Sequence, residues 1–398
     1  MNFSLIDGGV CAPRGFQSAG VHCGLKATGQ RDLALIFSTS RCQTAVSYTQ
    51  NKLKGAPLLL TAQHLRLSGG ISRAVLCNSG RANGATAHGV DLARQCSRLL
   101  ADALAINHEE IILASTGRLD LPLALAPFQA GIPLLKQELS ALGNDRAAAA
   151  IMTTDRVPKQ RALTFALDGH SCTIGAMAKG SGQVNPNLAT MLAFITSDVA
   201  IEGPVLREIF RDVVAETFNQ LSIDGDCSCN DMAVLMCNGQ SEMRPIAAKD
   251  SPAGRSFHLA LRALCIELVR DLARDGASAS KLIQCEVSGA PTLAVARAVA
   301  KQVIGSTAVK GNLAAAVADW PGIVAAVGAS PGDFPVDRLT VAIASEFGQL
   351  NLYGPAGPQD FDGAAAAKIL SSREIDVLVN LQGGSSRGWA WGCDRPPH

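Results

Sequence analysis

Apolar residues recur at three- and four-residue spacing in three stretches, and each stripe predicts a helix with one buried face. Leu92, Cys96, Leu99, Leu100 and Ala103 form the first. Leu206, Ile209, Val213 and Thr217 form the second, behind Gly203 and a Pro204 that suits a first helical turn. Phe257, Leu261, Leu264, Leu268 and Leu272 form the third and longest. Between them lie short apolar or alternating runs that read as strands. Asp32–Ser38 and Thr44–Tyr48 read as two strands joined by a turn, followed by Leu58–Thr61, Ser72–Cys77 and Ile111–Ala114. Ala162–Leu167 and Cys172–Met177 flank a turn at Asp168-Gly169-His170, and Met191–Ile195 and Met232–Met236 continue the series. Strand Leu282–Val287 and helix Leu293–Ile304 then alternate, and Ile323–Gly328, Val341–Ala344 and Ile375–Val379 suggest a further α/β layer of small residues. The polar, two-proline stretch from Gly239 to Gly254 reads as a surface excursion. Two strands end in Asn78-Ser79-Gly80 and Ser115-Thr116-Gly117, sites where backbone amides become available to a ligand.

The composition narrows the partners. A 398-residue chain that is 47% hydrophobic and 17% charged can bury a large core. Its net charge of +1 offers no field for nucleic acid or an anionic membrane, so a small molecule is the expected partner. No apolar run reaches the roughly 18 to 20 residues of a bilayer span. Met1–Val10 lacks the basic and apolar regions of a secretory signal. The twelve cysteines include no Cys-x-x-Cys pair, the nearest approach being Cys227-x-Cys229, and the seven histidines show no ligand spacing. Reduced thiols in a cytoplasm, with no metal and no cofactor, are the expectation.

Candidate chemistry gathers in Lys179-Gly180-Ser181-Gly182-Gln183-Val184-Asn185-Pro186-Asn187-Leu188-Ala189-Thr190-Met191-Leu192, where a Gly/Pro/Asn-rich bend runs into an apolar strand. An internal threonine there becomes a nucleophile economically if the bond before it is cut. The freed α-amine then sits beside the hydroxyl and can take its proton. The small Ala189 before Thr190 suits attack of the hydroxyl on the preceding carbonyl.

This segment closely resembles the self-cleavage signature of the ornithine acetyltransferase family, also called bifunctional glutamate N-acetyltransferase. Asn51-x-Leu53-Lys54-x-Ala56-Pro57, Asn78-Ser79-Gly80-x-Ala82-Asn83, Ser115-Thr116-Gly117 and Thr153-Thr154-Asp155-x-x-Pro158-Lys159 are similar to family landmarks in the same order. So are Asp224-Gly225-Asp226-x-Ser228-x-Asn230-Asp231, Val299-Ala300-Lys301 and Ala390-Trp391-Gly392-Cys393-Asp394. The resemblance implies an N-terminal-nucleophile-like αββα sandwich of α/β class. It implies self-processing into an α chain, residues 1–189, and a β chain, residues 190–398, assembled as an α2β2 heterotetramer. It also implies ping-pong transfer of an acetyl group from N-acetylornithine to glutamate through an acetylated threonine, without a metal. By position, Thr190 is the nucleophile and its freed amine the base, Thr116 and Gly117 form the oxyanion hole, and Thr153, Lys179 and Thr190 contact substrate. The strand-end reading agrees with the second pair, since Thr-Gly offers a hydroxyl and a backbone N–H, each worth about 3 to 4 kcal/mol of barrier in comparable sites. In the Asp224–Asp231 cluster the aspartates read as turn caps in preference to metal ligands.

The departures concern recognition. The family's Gly-Glu-Gly-Ala-Thr-Lys run, whose glutamate grips the substrate amino group, is here Gly276-Ala277-Ser278-Ala279-Ser280-Lys281. A buried ammonium without that carboxylate loses several kcal/mol. The family's tail continues some ten residues past Trp-Gly-Cys-Asp, with substrate-binding Asn and Thr, where this chain has Arg395 to His398. Arg118-Leu119-Asp120 and Asp319-Trp320-Pro321-Gly322 also depart from the pattern. These differences lead to the expectation of a threonine-nucleophile acyltransferase for a different small amino-acid-like substrate. The alternatives are an amidohydrolase with water as acceptor, the conventional glutamate N-acetyltransferase of arginine biosynthesis with Asp120 or another carboxylate in the glutamate's role, and a catalytically silent binding relative.

Overall fold

The computed structural model describes residues 3–182, 191–226, 228–276 and 279–394. These fall into two compact units. Among the described residues no helix is long and apolar enough to cross a membrane.

The larger unit takes in residues 3–180, 191–215 and 228–268, and so draws on both sides of the expected cut at Ala189-Thr190. Its strands are β1 (Phe3–Ile6), β2 (Phe16–Val21), β3 (Leu33–Tyr48), β4 (Ile71–Asn78), β5 (Ile111–Ser115), β6 (Lys159–Leu167), β7 (His170–Lys179) and β8 (Leu192–Ser197). After the two-residue β9 (Leu221–Ser222), which belongs to the other unit, comes β10 (Met232–Cys237). They form a nine-stranded mixed sheet in the order β1-β6-β7-β8-β10-β3-β4-β5, with β2 on β3. The parallel pair β8/β10 lies between antiparallel neighbours, and the parallel pair β4/β5 closes one end of the sheet. Such strands are buried on both faces, which is why β8 (Leu-Ala-Phe-Ile-Thr-Ser) and β10 (Met-Ala-Val-Leu-Met-Cys) read as continuous apolar runs. Helices α1 (Ala56–Leu67), α2 (Gly89–Leu104), α3 (Ala126–Glu138) and α4 (Asn144–Ile151) pack against this sheet, and α5 (Gly203–Glu216) and α6 (Pro252–Arg274) follow later in the chain.

Helix α4 is almost side-chain-free on its sheet face, with Ala147, Ala148 and Ala150 buried. A Cβ on Gly20 of β2 would stand 2.0 Å from the Arg146 carbonyl oxygen, so only glycine lets the α4 backbone lie this close.

The smaller unit holds a seven-stranded sheet, which contains β9, β11 (Leu282–Ala290), β12 (Thr340–Ser345), β13 (Gly348–Gly354), β14 (Gly357–Pro358), β15 (Glu374–Asn380) and β16 (Ser386–Cys393). Its order is β14-β13-β12-β15-β11-β16-β9. Helix α7 (Leu293–Gly305), capped by the Thr292 hydroxyl accepting from Val295 N, buries Val299 and Val303 over β11 and β16. Helices α8 (Thr307–Ala314), α9 (Trp320–Gly328) and α10 (Gly363–Leu370) complete it.

The α/β class and most predicted elements agree with this architecture, including the three apolar-stripe helices. Two readings are corrected. Leu58–Thr61 is helical, part of α1, because Pro57 sits in the first turn and the buried residues include Pro57, Leu60, Thr61 and His64 at helical spacing. The two strands expected on either side of a turn at Thr39–Gln43 are one sixteen-residue strand, β3. Its pairing with β4 is irregular between Phe37 and Cys42, while β2 and β10 pair with its opposite halves. The stretch from Gly239 to Pro252 is the irregular, largely exposed connection expected, pinned where Met243 and Ile246 are buried and Ile246 is bridged to Ile201.

Candidate active site

Strands β4 and β5 run parallel and end level, Asn78 beside Ser115. Beyond them the chain makes two glycine turns locked against each other. Thr116 N donates to the Asn78 carbonyl at 2.9 Å and Arg118 N to the Gly80 carbonyl at 3.1 Å. The Ser115 hydroxyl accepts from Asn83 N at 2.8 Å. Gly117 has φ +126, and a Cβ there would fall 2.4 Å from the Gly80 carbonyl carbon, so conformation and space both require glycine. Thr116 is buried on this turn.

A buried aspartate underpins the turn from behind. The Asp32 carboxylate accepts from the amides of Cys23, Leu25 and Lys26 at 2.7, 2.8 and 2.9 Å, and the Asp32 carbonyl accepts from Ser79 N at 2.8 Å. The Ser79 hydroxyl donates to the Ala150 carbonyl at 2.6 Å, so the glycine turn holds the C-terminal end of α4. The chain leaves that helix directly into Thr153, which is half-buried, and Asp155, which is buried.

Lys179, the last residue of β7, is 2% exposed, and its Nζ donates to Thr116 Oγ1 at 3.5 Å. Asp155 joins the parts. Its Oδ1 accepts from Lys159 Nζ at 2.7 Å and from Gly180 N at 2.8 Å. Its Oδ2 accepts from Thr153 N at 3.0 Å and lies 4.0 Å from Lys179 Nζ. Burial alone would raise the Asp155 pKa. The nearby ammonium groups of Lys179 and Lys159 and the donated hydrogen bonds outweigh it and hold the carboxyl at about 2. Burial pulls the Lys179 pKa below the usual lysine value, with Lys159 adding repulsion, while Asp155, Asp231 and Cys77 oppose it. Burial pushes the neighbouring Cys77 thiol up to about 12, so it stays protonated at neutral pH.

The structure therefore brings Thr116, Gly117 and Lys179 together and ties Thr153 to them through Asp155. Ala189 and Thr190 lie outside the described residues, as does Ala277. The chain re-enters at Met191, whose carbonyl accepts from Met232 N, and Leu192 pairs with Lys179 across β7 and β8. Asp120 is occupied elsewhere. It forms a two-pronged pair with Arg118 on the surface at 2.5 and 2.9 Å, both side chains being largely exposed, which does not suit it to replace the family's glutamate. Asp224 accepts from Asp226 N, and the Ser228 hydroxyl from Asn230 N, contacts of the turn-capping kind. Among the described residues no group of three or more His, Cys, Asp or Glu could hold a metal ion.

Sequence reasoning gave Asp155, Lys159 and Asp32 no role. Their signal was present for the first two, an acid and a base four apart directly after Thr153.

Comparison with known proteins follows the same outline. The ArgJ family model matches residues 17–395. The arginine biosynthesis bifunctional protein ArgJ of Symbiobacterium thermophilum is 41% identical over 392 residues, covering 98% of this chain and 96% of the relative. Its namesake from Bacillus subtilis is 36% identical over 390 residues, covering 98% and 94%. A crystal structure of ornithine acetyltransferase complexed with ornithine, from Mycobacterium tuberculosis, is 38% identical with a TM-score of 0.43, covering 46% of this chain and 98% of that chain.

Proposed function

The chain belongs to the ArgJ family, and from that premise we propose that it is a self-processing threonine acetyltransferase of arginine biosynthesis, moving acetyl from N-acetylornithine to glutamate. The observation that carries the reading is the Thr116-Gly117 turn with the buried Lys179 ammonium on the Thr116 hydroxyl. The full-length relatives named for arginine biosynthesis support this conventional pair over the different substrate expected from Ala277 and the C-terminal residues.

In this reading the Thr190 hydroxyl first attacks the Ala189 carbonyl, the amide C–N bond breaks to free the Thr190 α-amine, and water then hydrolyses the resulting ester to release the Ala189 carboxylate and the Thr190 hydroxyl. In turnover the hydroxyl attacks the acetyl carbonyl of N-acetylornithine and its proton passes to that amine. The tetrahedral oxyanion takes hydrogen bonds from the Thr116 hydroxyl and the Gly117 N–H. Collapse breaks the amide C–N bond, returns the proton to the leaving ornithine nitrogen and leaves acetyl-Thr190. The glutamate amine then attacks the ester and reverses the sequence. Lys179 offers an ammonium to a substrate carboxylate, and Thr153 contacts the same substrate. The two fragments assemble as α2β2.

The test combines genetics and stoichiometry. The chain should restore growth to an arginine auxotroph blocked at deacetylation of N-acetylornithine. The purified protein should form N-acetylglutamate and ornithine in equal amounts. Release of free acetate with no N-acetylglutamate would replace this reading with amide hydrolysis, and absence of both products would sink it.

A further inference from the structure

The Thr116 hydroxyl has one proton to give and two lone pairs to receive with. An ammonium can only donate, so while Lys179 is charged its contact with Oγ1 makes that oxygen an acceptor there and leaves the hydroxyl proton for another partner. A neutral lysine amine carries a lone pair as well, which competes for that proton and can turn the hydroxyl away from its task. The charge state and aim of Lys179 thus decide whether Thr116 is a donor.

Lys179 sits in a crowded electrostatic setting. Asp155 and Lys159 face it from the segment leading into β6, Asp231 from the turn before β10, Cys77 from β4, and Lys26 from the loop held by Asp32. Among these groups Asp155 is fully buried, lies 4.0 Å from the ammonium, and is anchored by Lys159 at 2.7 Å and by two backbone amides. One of those amides is Gly180, the residue after Lys179, so the carboxylate holds the backbone of the lysine as well as facing its charge.

We propose that Asp155 is a positioning residue for acyl transfer: anchored by Lys159, it keeps the Lys179 ammonium on the Thr116 hydroxyl so that this hydroxyl presents its proton to the oxyanion. The inference rests on the reading of Thr116 as an oxyanion donor. Asp155 acts through Lys179 and touches no reacting atom. Lys159 works in both senses, anchoring Asp155 while repelling Lys179.

This makes a signed test on the full-length chain. In Asp155→Asn the amide keeps the shape and loses the charge, so Lys179 should deprotonate at lower pH. In Lys159→Gln a repelling charge disappears, so Lys179 should deprotonate at higher pH. Lysine side-chain nitrogen and carbon resonances of labelled protein, with Lys179 assigned through Lys179→Arg, report this without substrate. The alkaline limb of kcat should follow, moving down by about one pH unit in Asp155→Asn and upward in Lys159→Gln. At neutral pH, Asp155→Asn should lower kcat about tenfold, less than the ~10² to 10³ of losing an oxyanion donor outright. An unmoved Lys179 titration in a folded variant overturns the proposal, as does an alkaline limb that stays put while the titration shifts. If Asp155→Asn fails to fold, Asp155→Ser, which also removes the charge, decides by the same two readouts. A wild-type protein that never acetylates Thr190 would instead defeat the functional reading, and the resonance titration tells the two failures apart.

Discussion

Thr116 and Gly117 are placed by two strand ends that finish level, and their backbone geometry leaves little latitude. Replacing Thr116 by Val keeps the shape and removes the hydroxyl, so kcat should fall ~10² to 10³-fold while the protein still folds. Gly117→Ala should be worse for the fold than for chemistry alone. Its φ of +126 costs an ordinary residue roughly 1 to 3 kcal/mol, and the added methyl must also displace the Gly80 backbone. Thermal unfolding measures that loss, and an unchanged midpoint would contradict the tight packing of the two turns. Asp155 gives an acid prediction with a definite sign. Its folded pKa of about 2 lies below the ordinary value, so the unfolded chain binds the proton first. The stability it supplies is present above about pH 4 and is lost as pH falls toward 2, roughly 2 kcal/mol in all. Asp155→Asn should flatten that part of the stability curve. At this scale the strand-end Ser-Thr-Gly was legible because a hydroxyl and an exposed amide can be read from three letters. The role of Asp155 was not, since it depends on residues 153, 159, 179 and 180 meeting in space.

Helix α4 shows how an element positions a side chain it does not contain. It rests on β2 through Gly20, and Ser79 takes its last turn, so Thr153 inherits its place from both contacts. Gly20→Val should push the helix off the sheet, lowering the melting temperature and raising KM for N-acetylornithine through Thr153. A variant with normal stability and KM would show that this close approach is not required. Pattern reading succeeded where one period ran on, as in the stripe from Phe257 to Leu272. It failed at Leu58–Thr61, where four apolar residues fit either period and Pro57 carried the deciding information. It failed again within β3, whose polar middle reads as a turn until the neighbouring strands continue the pairing across it.

Over the whole chain, the expected cut and the compact units follow different boundaries. β7 lies before Ala189-Thr190 and β8 after it, yet they are antiparallel neighbours from Ile174 beside Ser197 to Lys179 beside Leu192. Cleavage would therefore divide the chain and leave the nine-stranded sheet built from both fragments. Wild-type protein should run as two bands on a denaturing gel and as one species on a native column, and either fragment expressed alone should fail to fold. The most direct measurement is the intact mass of the full-length protein before and after incubation with N-acetylornithine, and again after glutamate. The expected result is two masses splitting the 41.3 kDa chain between Ala189 and Thr190, with the fragment that begins at Thr190 gaining one acetyl group and losing it to glutamate, while Thr190→Ala stays whole and unmodified. A single uncut wild-type mass, or cut fragments that never carry an acetyl group, would contradict it.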